Sequence, residues 1–236
     1  YDVYFQTGTD EHGQKMLEYA ERAGQDPRTY ADQVAPRHRD LWTSLDIAFD
    51  RFIRTTDPDH YEAVAKFWRR VRDNGDIYKG RYEGWYSVTD EAFVLESQTI
   101  LQPDGRRVSA ETGAELVWRS EESYFFALSK YQDRLERWLD DRPNFILPTF
   151  RANEMKNSFL KGGLQDVSIS RTSIKWGIPV PDDPEHVIYV WFDALINYIT
   201  GVGYGSDPER FSRWWPADVH VVGKDILKFH TLLWPA

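Results

Sequence analysis

The stretch Tyr189-Val190-Trp191-Phe192-Asp193-Ala194-Leu195-Ile196-Asn197-Tyr198, entered through Val187 and Ile188, decides how this chain reads as a fold. An unbroken apolar run from Val187 to Phe192, echoed at Val219 to Val222, is of the kind found in parallel sheets covered on both faces. Residues 1 to 7 read as a third buried strand, ending at Gly8. Helical spacing fills the intervals. Met16, Leu17, Tyr19 and Ala20 place a helix over Gln14 to Ala23. Val34, His38, Leu41, Trp42 and Leu45 place one from Pro27 to Leu45. After an extended Phe49 to Thr55, Asp57-Pro58 opens a helix through Val71, with Thr56 expected as its N-cap and Asn74-Gly75 as its stop. From Ile77 the pattern changes to short alternating runs, Tyr78 to Val88 and Thr99 to Leu101, broken at Pro103-Asp104-Gly105 and Glu111-Thr112-Gly113. Helical periodicity returns over Leu128 to Leu139, pauses at Pro143 and Pro148, and resumes from Asn153 to Leu160. Strands alternating with helices on both sides of a β-rich module predict a doubly wound α/β fold with a parallel sheet, split by an insertion. The expected divisions are 1–76, 77–127 and 128–236.

Composition narrows the function. With 41% hydrophobic and 15% aromatic content, 236 residues can bury a sizeable core. No window approaches the ~18 uninterrupted apolar residues of a spanning helix, so no membrane role is expected. The absence of cysteine excludes disulfides and thiolate metal ligands, and points away from a redox role. A net charge of −9 argues against a broad nucleic-acid surface, which would cluster Lys and Arg. Any nucleic acid would be gripped locally or elsewhere.

Several residues carry chemistry. Trp191, Ala194, Tyr198, Ile226 and His230 alternate aromatic, small and aliphatic groups, and Ile226 and His230 share a face if their segment is helical. Such a face suits a thioether, which is held by aromatic contact and one or two weak donors, here Tyr198 and His230. Spacing alone favours core packing with a satisfied histidine. Gly223-Lys224-Asp225 follows the expected strand Val219 to Val222, where open α/β sheets take ligands. A glycine there admits close backbone approach and a carboxylate accepts ribose hydroxyls, although a solvated turn reads the same. Asp10 and His12, in Gly8-Thr9-Asp10-Glu11-His12-Gly13, follow the first strand. Asp10 is placed to meet an ammonium, but the run equally fits a metal site or a helix cap.

Taken in order, Thr7-Gly8-Thr9-Asp10-Glu11-His12-Gly13, Ser168-Ile169-Ser170-Arg171, Trp176-Gly177-Ile178-Pro179, the stretch from Tyr189 to Tyr198, and Gly223-Lys224-Asp225-Ile226-Leu227-Lys228-Phe229-His230 resemble methionyl-tRNA synthetases over almost the whole chain. The resemblance implies a Rossmann-like nucleotide-binding domain in which 77–127 is a small connective insertion, and 1–76 and 128–236 are the two parts of the catalytic domain, its first strand missing. It implies that Trp191, Ala194, Leu195 and Tyr198 form a methionine side-chain pocket closed by Ile226 and His230, although relatives often carry proline where this chain has Leu195. It implies that Asp10 faces the α-amino group and pairs with Arg171. Gly223 and Asp225 would hold the ATP ribose, with Lys224 adding charge near the phosphates.

The implied reaction is ATP-dependent activation of L-methionine to methionyl-adenylate and transfer to tRNA(Met), with Mg²⁺ entering as the ATP complex. Relatives often carry a Cys-X-X-Cys zinc knuckle after a Gly-X-Tyr segment like Gly84-Trp85-Tyr86. Ser87-Val88-Thr89-Asp90 stands there instead, so no structural zinc is expected, and packing of Trp85, Tyr86, Trp118, Tyr124, Phe125 and Phe126 would hold the insertion. The family's His-Ile-Gly-His and Lys-Met-Ser-Lys-Ser signatures are absent, so the chain reads as an internal portion that does not activate methionine at a useful rate alone, and no residue within it is assigned a catalytic role. The implied setting is bacterial cytoplasm, with the mitochondrial matrix second. Two other readings stand beside this one. A synthetase for valine, leucine or isoleucine would normally bring a larger editing insertion. A non-catalytic methionine- or nucleotide-binding module, or a relic, would keep the pocket without the signatures.

Overall fold

The molecule is described by a computed structural model covering all residues except 88–91, 95 and 111, with the side chains of 92, 93 and 97 also left aside. Strand β1 (Gln6–Thr9) is followed by helices α1 (Gln14–Arg22) and α2 (Pro27–Ser44), which carry the chain to β2 (Arg51–Arg54). A helical crossover is what parallel pairing requires, and β2 lies parallel to β1 in register from Gln6↔Arg51 to Thr9↔Arg54. The strands approach so closely that a Cβ on Gly8 would lie 1.9 Å from the carbonyl oxygen of Ile53. Pro27 opens α2 behind Asp26, whose side chain accepts a hydrogen bond from the Thr29 backbone N–H.

Helix α3 (Pro58–Asp73) then sends its apolar face inward through Ala63, Val64 and the fully buried Trp68. The next segment is a sheet of its own. Strands β3 (Ile77–Ser87), β4 (Ala92–Val94), β5 (Thr99–Leu101), β6 (Arg107–Ser109) and β7 (Glu115–Phe126) lie in the antiparallel order β4-β3-β7-β6-β5. β3 and β7 pair without a break from Ile77↔Phe126 to Ser87↔Leu116. Helices α4 (Gln132–Asp140) and α5 (Thr149–Met155) follow, then β8 (Val167–Ser168), which joins β7 at the base of this sheet. Strands β9 (Ser170–Arg171), β10 (Pro179–Val180) and β11 (Asp183–Ile188) form a small antiparallel sheet, β11 central. Helices α6 (Val190–Thr200) and α7 (Pro208–Trp214) complete the regular elements, with short helical turns at Lys224–Ile226 and Phe229–Leu233.

The core gathers where α3, β7 and α6 meet. Trp68 stands edge-on to Phe192 at 5.6 Å and to Tyr124 at 5.5 Å, among Phe126, Leu195, Ile196 and Ile199. Truncating a tryptophan so enclosed costs about 3–5 kcal/mol. α6 is also tied to the first strand: the Gln6 side-chain amide donates to Asn197 Oδ1 at 2.8 Å, and the Tyr4 hydroxyl donates to the Gly201 carbonyl at 2.8 Å. These ties bring the loop after β1 against the start of α6. Gly13, at φ 90°, lies where an added Cβ would be 3.3 Å from Val190.

Four expectations change. The Val187 to Phe192 run divides: Val187 and Ile188 end antiparallel β11, Tyr189 is the N-cap residue, and Val190 begins α6. A short apolar run fits strand or buried helix equally, and the tertiary surroundings choose. Val219 to Val222 form no strand, and Val219 and Val221 are 74% and 92% exposed, lacking a neighbouring strand among the described residues. Residues 1 to 5 likewise stay outside β1, with Tyr1 and Val3 exposed. Asp57, not Thr56, is the N-cap residue of α3, because the Thr56 hydroxyl is engaged by Glu11. The parallel pairing described here is therefore confined to β1 and β2. Of the Ser87-Val88-Thr89-Asp90 segment, only Ser87, on β3, lies within the described residues. Trp85 and Trp118 face each other across β3 and β7 edge-on at 5.3 Å, with Trp118 56% exposed, so that pair covers the sheet more than it fills a core. Among the described residues no helix is long and apolar enough to cross a membrane.

Candidate amino-acid and nucleotide site

Everything in the site turns on the loop after β1. Glu11 is 1% exposed and made structural by its partners: Oε1 accepts from Thr9 Oγ1 at 2.6 Å and Arg54 Nε at 2.7 Å, and Oε2 accepts from Thr56 Oγ1 at 2.5 Å. Its backbone N–H donates to Thr55 Oγ1 at 2.9 Å, and its carbonyl accepts from Trp176 Nε1 at 2.6 Å. With Glu11 turned inward and fixed, Asp10 faces outward on one side of it and buried His12 lines the wall on the other.

A cavity of about 440 Å³ opens there, lined by Asp10, His12, Gly13, Arg171, Trp176, Tyr189 and Trp191 among others. Asp10 remains open to solvent at this cleft, yet its carboxyl is crowded by protein. Desolvation first, and then the negative charge of Asp193, push it up to about 7, against the opposing pull of His12. A carboxyl poised there can take or release a proton near neutrality. Arg171 stacks its guanidinium over the Tyr189 ring at 4.6 Å and donates through Nη1 to Ser168 Oγ and the Ser170 carbonyl, both at 2.7 Å. Burial lowers its affinity for its proton. Arg171 forms no ion pair with Asp10, so the expected pairing is corrected: the two line one cavity, and the serine-rich turn at β8 and β9 holds the guanidinium instead.

Deeper along α6, Tyr198 and His230 come together. His230 Nδ1 donates to the Ile226 carbonyl at 2.9 Å, which leaves Nε2 as the acceptor for the Tyr198 hydroxyl at 2.7 Å. This fixes one neutral tautomer, and burial favours the uncharged ring by lowering the His230 pKa. Tyr198 is pushed up to about 12 by desolvation and then by the charge of Asp10, so both feel one electrostatic environment. Trp191 stacks flat on Phe229, 4.0 Å between centroids at 10°, joining the cavity wall to the segment that carries His230.

Other expected residues stand apart. Ala194 is buried in α6, and Leu195 turns into a separate cavity of about 270 Å³ with Phe67, Phe126 and Phe192. Gly223, Lys224 and Asp225 lie exposed in a helical turn and line neither cavity. A Cβ at Gly223 would meet nothing within 4 Å, so the fold itself does not demand glycine there. Sequence reasoning missed His220, edge-on to Tyr198 at 4.5 Å, and Phe229. It also gave no role to Asp193, although a carboxylate in an otherwise apolar helix was a visible signal.

The model of the family described as tRNA synthetases class I (M) matches residues 1–104 and 94–236. The chain belongs to the methionyl-tRNA synthetases of class I. Methionine–tRNA ligase of Thermotoga maritima is 51% identical over 100% of this chain and 37% of its own length, and that of Clostridium acetobutylicum 52% over 100% and 36%. The chain thus spans little more than a third of the curated relatives it matches. Mycobacterium tuberculosis methionyl-tRNA synthetase in complex with methionyl-adenylate superposes with a TM-score of 0.88 at 51% identity, covering 100% of this chain and 46% of that one. Its apo form gives 0.76 at 43%, covering 98% and 52%. The Rossmann-like α/β fold of the methionyl-tRNA synthetases is therefore the fold of this chain.

Proposed function

We propose that this chain is the amino-acid-binding part of a methionine–tRNA ligase, which activates L-methionine with ATP and transfers it to tRNA(Met). The observation that carries the reading is the Tyr198–His230–Ile226 hydrogen-bond chain close to Asp10. It supplies an aromatic wall with its hydroxyl oxygen held in place at one end and an ammonium-seeking carboxylate at the other, matching the two ends of methionine. Support comes from the family membership and from the likeness to Mycobacterium tuberculosis methionyl-tRNA synthetase in complex with methionyl-adenylate.

In this reading Asp10 takes the α-ammonium, and Arg171 presents its charge across the same cavity, toward the carboxylate of the amino acid. Trp191, Tyr198, Ile226 and His230 border the side chain. ATP would be held at Gly223 and Asp225, with Lys224 near the phosphates. Mg²⁺ would enter as part of the ATP complex. These residues orient the carboxylate for attack on the α-phosphorus, a positioning contribution, while closure of the charge around pyrophosphate falls to other segments of the parent. The divisions 1–76, 77–127 and 128–236 serve as two catalytic parts around a connective insertion, supported by the antiparallel sheet whose strands β3 to β7 all lie between Ile77 and Phe126, with β8 joining at its base. A protein of this kind works in the compartment of translation, the bacterial cytoplasm in this reading.

Titrating the parent protein with L-methionine, and with analogues lacking the thioether, while following tryptophan emission tests the pocket through Trp191 and Trp176. A saturable change with methionine, weakened on replacing sulfur, is expected; no change with any of them would remove the pocket.

A further inference from the structure

Behind the cavity lies a buried cluster that the proposed function leaves unused. Asp193 and His60 are both 0% exposed. Asp193 Oδ2 stands 3.1 Å from His12 Nδ1, and His12 Nε2 stands 3.1 Å from the Tyr61 hydroxyl. This half is satisfied with His12 neutral: Nδ1–H donates to the carboxylate, and the phenol donates to Nε2. The other half has a polarity set by Thr200, whose hydroxyl donates to the Ile196 carbonyl at 3.0 Å. With that proton committed, the 3.2 Å contact between Thr200 Oγ1 and His60 Nδ1 needs an N–H on the histidine. His60 Nε2 is then left facing Asp193 Oδ1 at 3.8 Å, and neither atom has another hydrogen-bond partner among the described residues.

Two bare acceptors facing each other in a buried site are unfavourable, whereas a proton on Nε2 turns the same contact into an ion pair at 3.8 Å. We propose that His60 is an imidazolium paired with the Asp193 carboxylate, and that this pair is a positioning device which keeps Asp10 free to carry the negative charge that meets the substrate ammonium. The functional half rests on the reading of Asp10 above. Among the described residues His12 is the other basic group at Asp193, and its contacts are satisfied in the neutral form. From α3 come His60 and Tyr61, and from the loop after β1 come His12, Asp10 and Glu11. Glu11 is matched by Arg54 at 2.7 Å, and Arg28 of α2 is felt at Tyr61. The charge of Asp193 is, after desolvation, the largest influence raising the Asp10 carboxyl. Neutralising Asp193 from its far side therefore lets Asp10 ionise more readily.

The test uses the parent protein and the KM for methionine in ATP–pyrophosphate exchange, followed over about pH 6 to 9. In His60→Gln the amide can donate to Asp193 but brings no charge. KM is expected to rise about tenfold near neutrality, the equivalent of one unit in the ionisation of Asp10, and to recover in alkaline buffer with kcat little changed. Adding Asp193→Asn to His60→Gln removes the stranded charge and is expected to restore KM. A loss independent of pH, or a double variant worse than the single one, overturns the proposal. If His60→Gln does not fold, ¹⁵N shifts of the His60 ring in the unaltered parent decide the same point. Two protonated nitrogens at neutral pH support the pair and a bare Nε2 overturns it. Asp10→Asn separates the two layers: a methionine KM like that of the unaltered protein removes the ammonium reading and the positioning role with it, while the ring shifts still decide the proton.

Discussion

Asp10 carries the sharpest consequence of a single side chain. Its carboxyl is raised from 3.8 to about 7, so the folded protein holds a proton that the unfolded chain releases. Stability is therefore expected to fall as pH rises from the ordinary carboxylate range through about 7. Asp10→Asn should raise the melting temperature at pH ~8 by a degree or more while abolishing methionine binding; solvent access at the cleft keeps the stability gain small. An unchanged melting temperature would mean the carboxyl is not strained. Tyr198→Phe removes the donor to His230 Nε2 and leaves a buried acceptor unpaired. It should weaken methionine binding by about five- to twentyfold, equivalent to about 1–2 kcal/mol, with little change in folding. Isothermal titration with L-methionine checks this. Asp10, Tyr198 and His230 were singled out in the sequence through the resemblance to methionyl-tRNA synthetases, because spacing alone pointed to core packing for the last two. His220 and Phe229 were not, because their relevance lies in a ring-on-ring approach that residue spacing does not encode.

Among the elements, the β1–β2 pair and the loop it throws forward are the most constrained. Gly8→Ala would drive a Cβ to within 1.9 Å of the Ile53 carbonyl oxygen, backbone that cannot swing aside. Loss of more than about 3 kcal/mol, or no soluble folded protein, is expected from urea unfolding. Gly223→Ala is the contrasting case: at φ −67°, with nothing within 4 Å of the new methyl group, the fold should be untouched. A rise in the KM for ATP without any shift of the urea midpoint would then report a nucleotide lying against Gly223. An unchanged KM would remove that glycine from the ATP site. Glu11→Gln leaves Arg54 with a weaker partner in a largely buried position, at an expected cost of about 2 kcal/mol in the same unfolding experiment. Helices α1, α2 and α3 were readable from the sequence to within a residue or two, since amphipathic spacing and the Pro27 and Pro58 starts are local signals. The apolar runs at Val187 to Phe192 and Val219 to Val222 were not. Whether such a run pairs, turns into helix or stays unpaired is settled by which strands stand beside it, a long-range matter.

For the molecule as a whole, one carboxylate-bearing loop, one buried helix and one stacked tryptophan converge on a single side of the core, where α6 is pinned to β1 by Gln6 and Tyr4. This convergence explains why widely spaced motifs were readable together as one function. Their meeting at the loop after β1, with Trp176 bonded to the Glu11 carbonyl, was beyond what spacing alone could show. In the function proposed above, this meeting place selects methionine. Methionine-dependent ATP–pyrophosphate exchange by the parent protein tests it most directly. The expected result is exchange with L-methionine, none of comparable rate with leucine, isoleucine or valine, and loss of the methionine signal in Asp10→Asn; exchange driven by one of the aliphatic amino acids instead, or a methionine signal indifferent to Asp10, would contradict it.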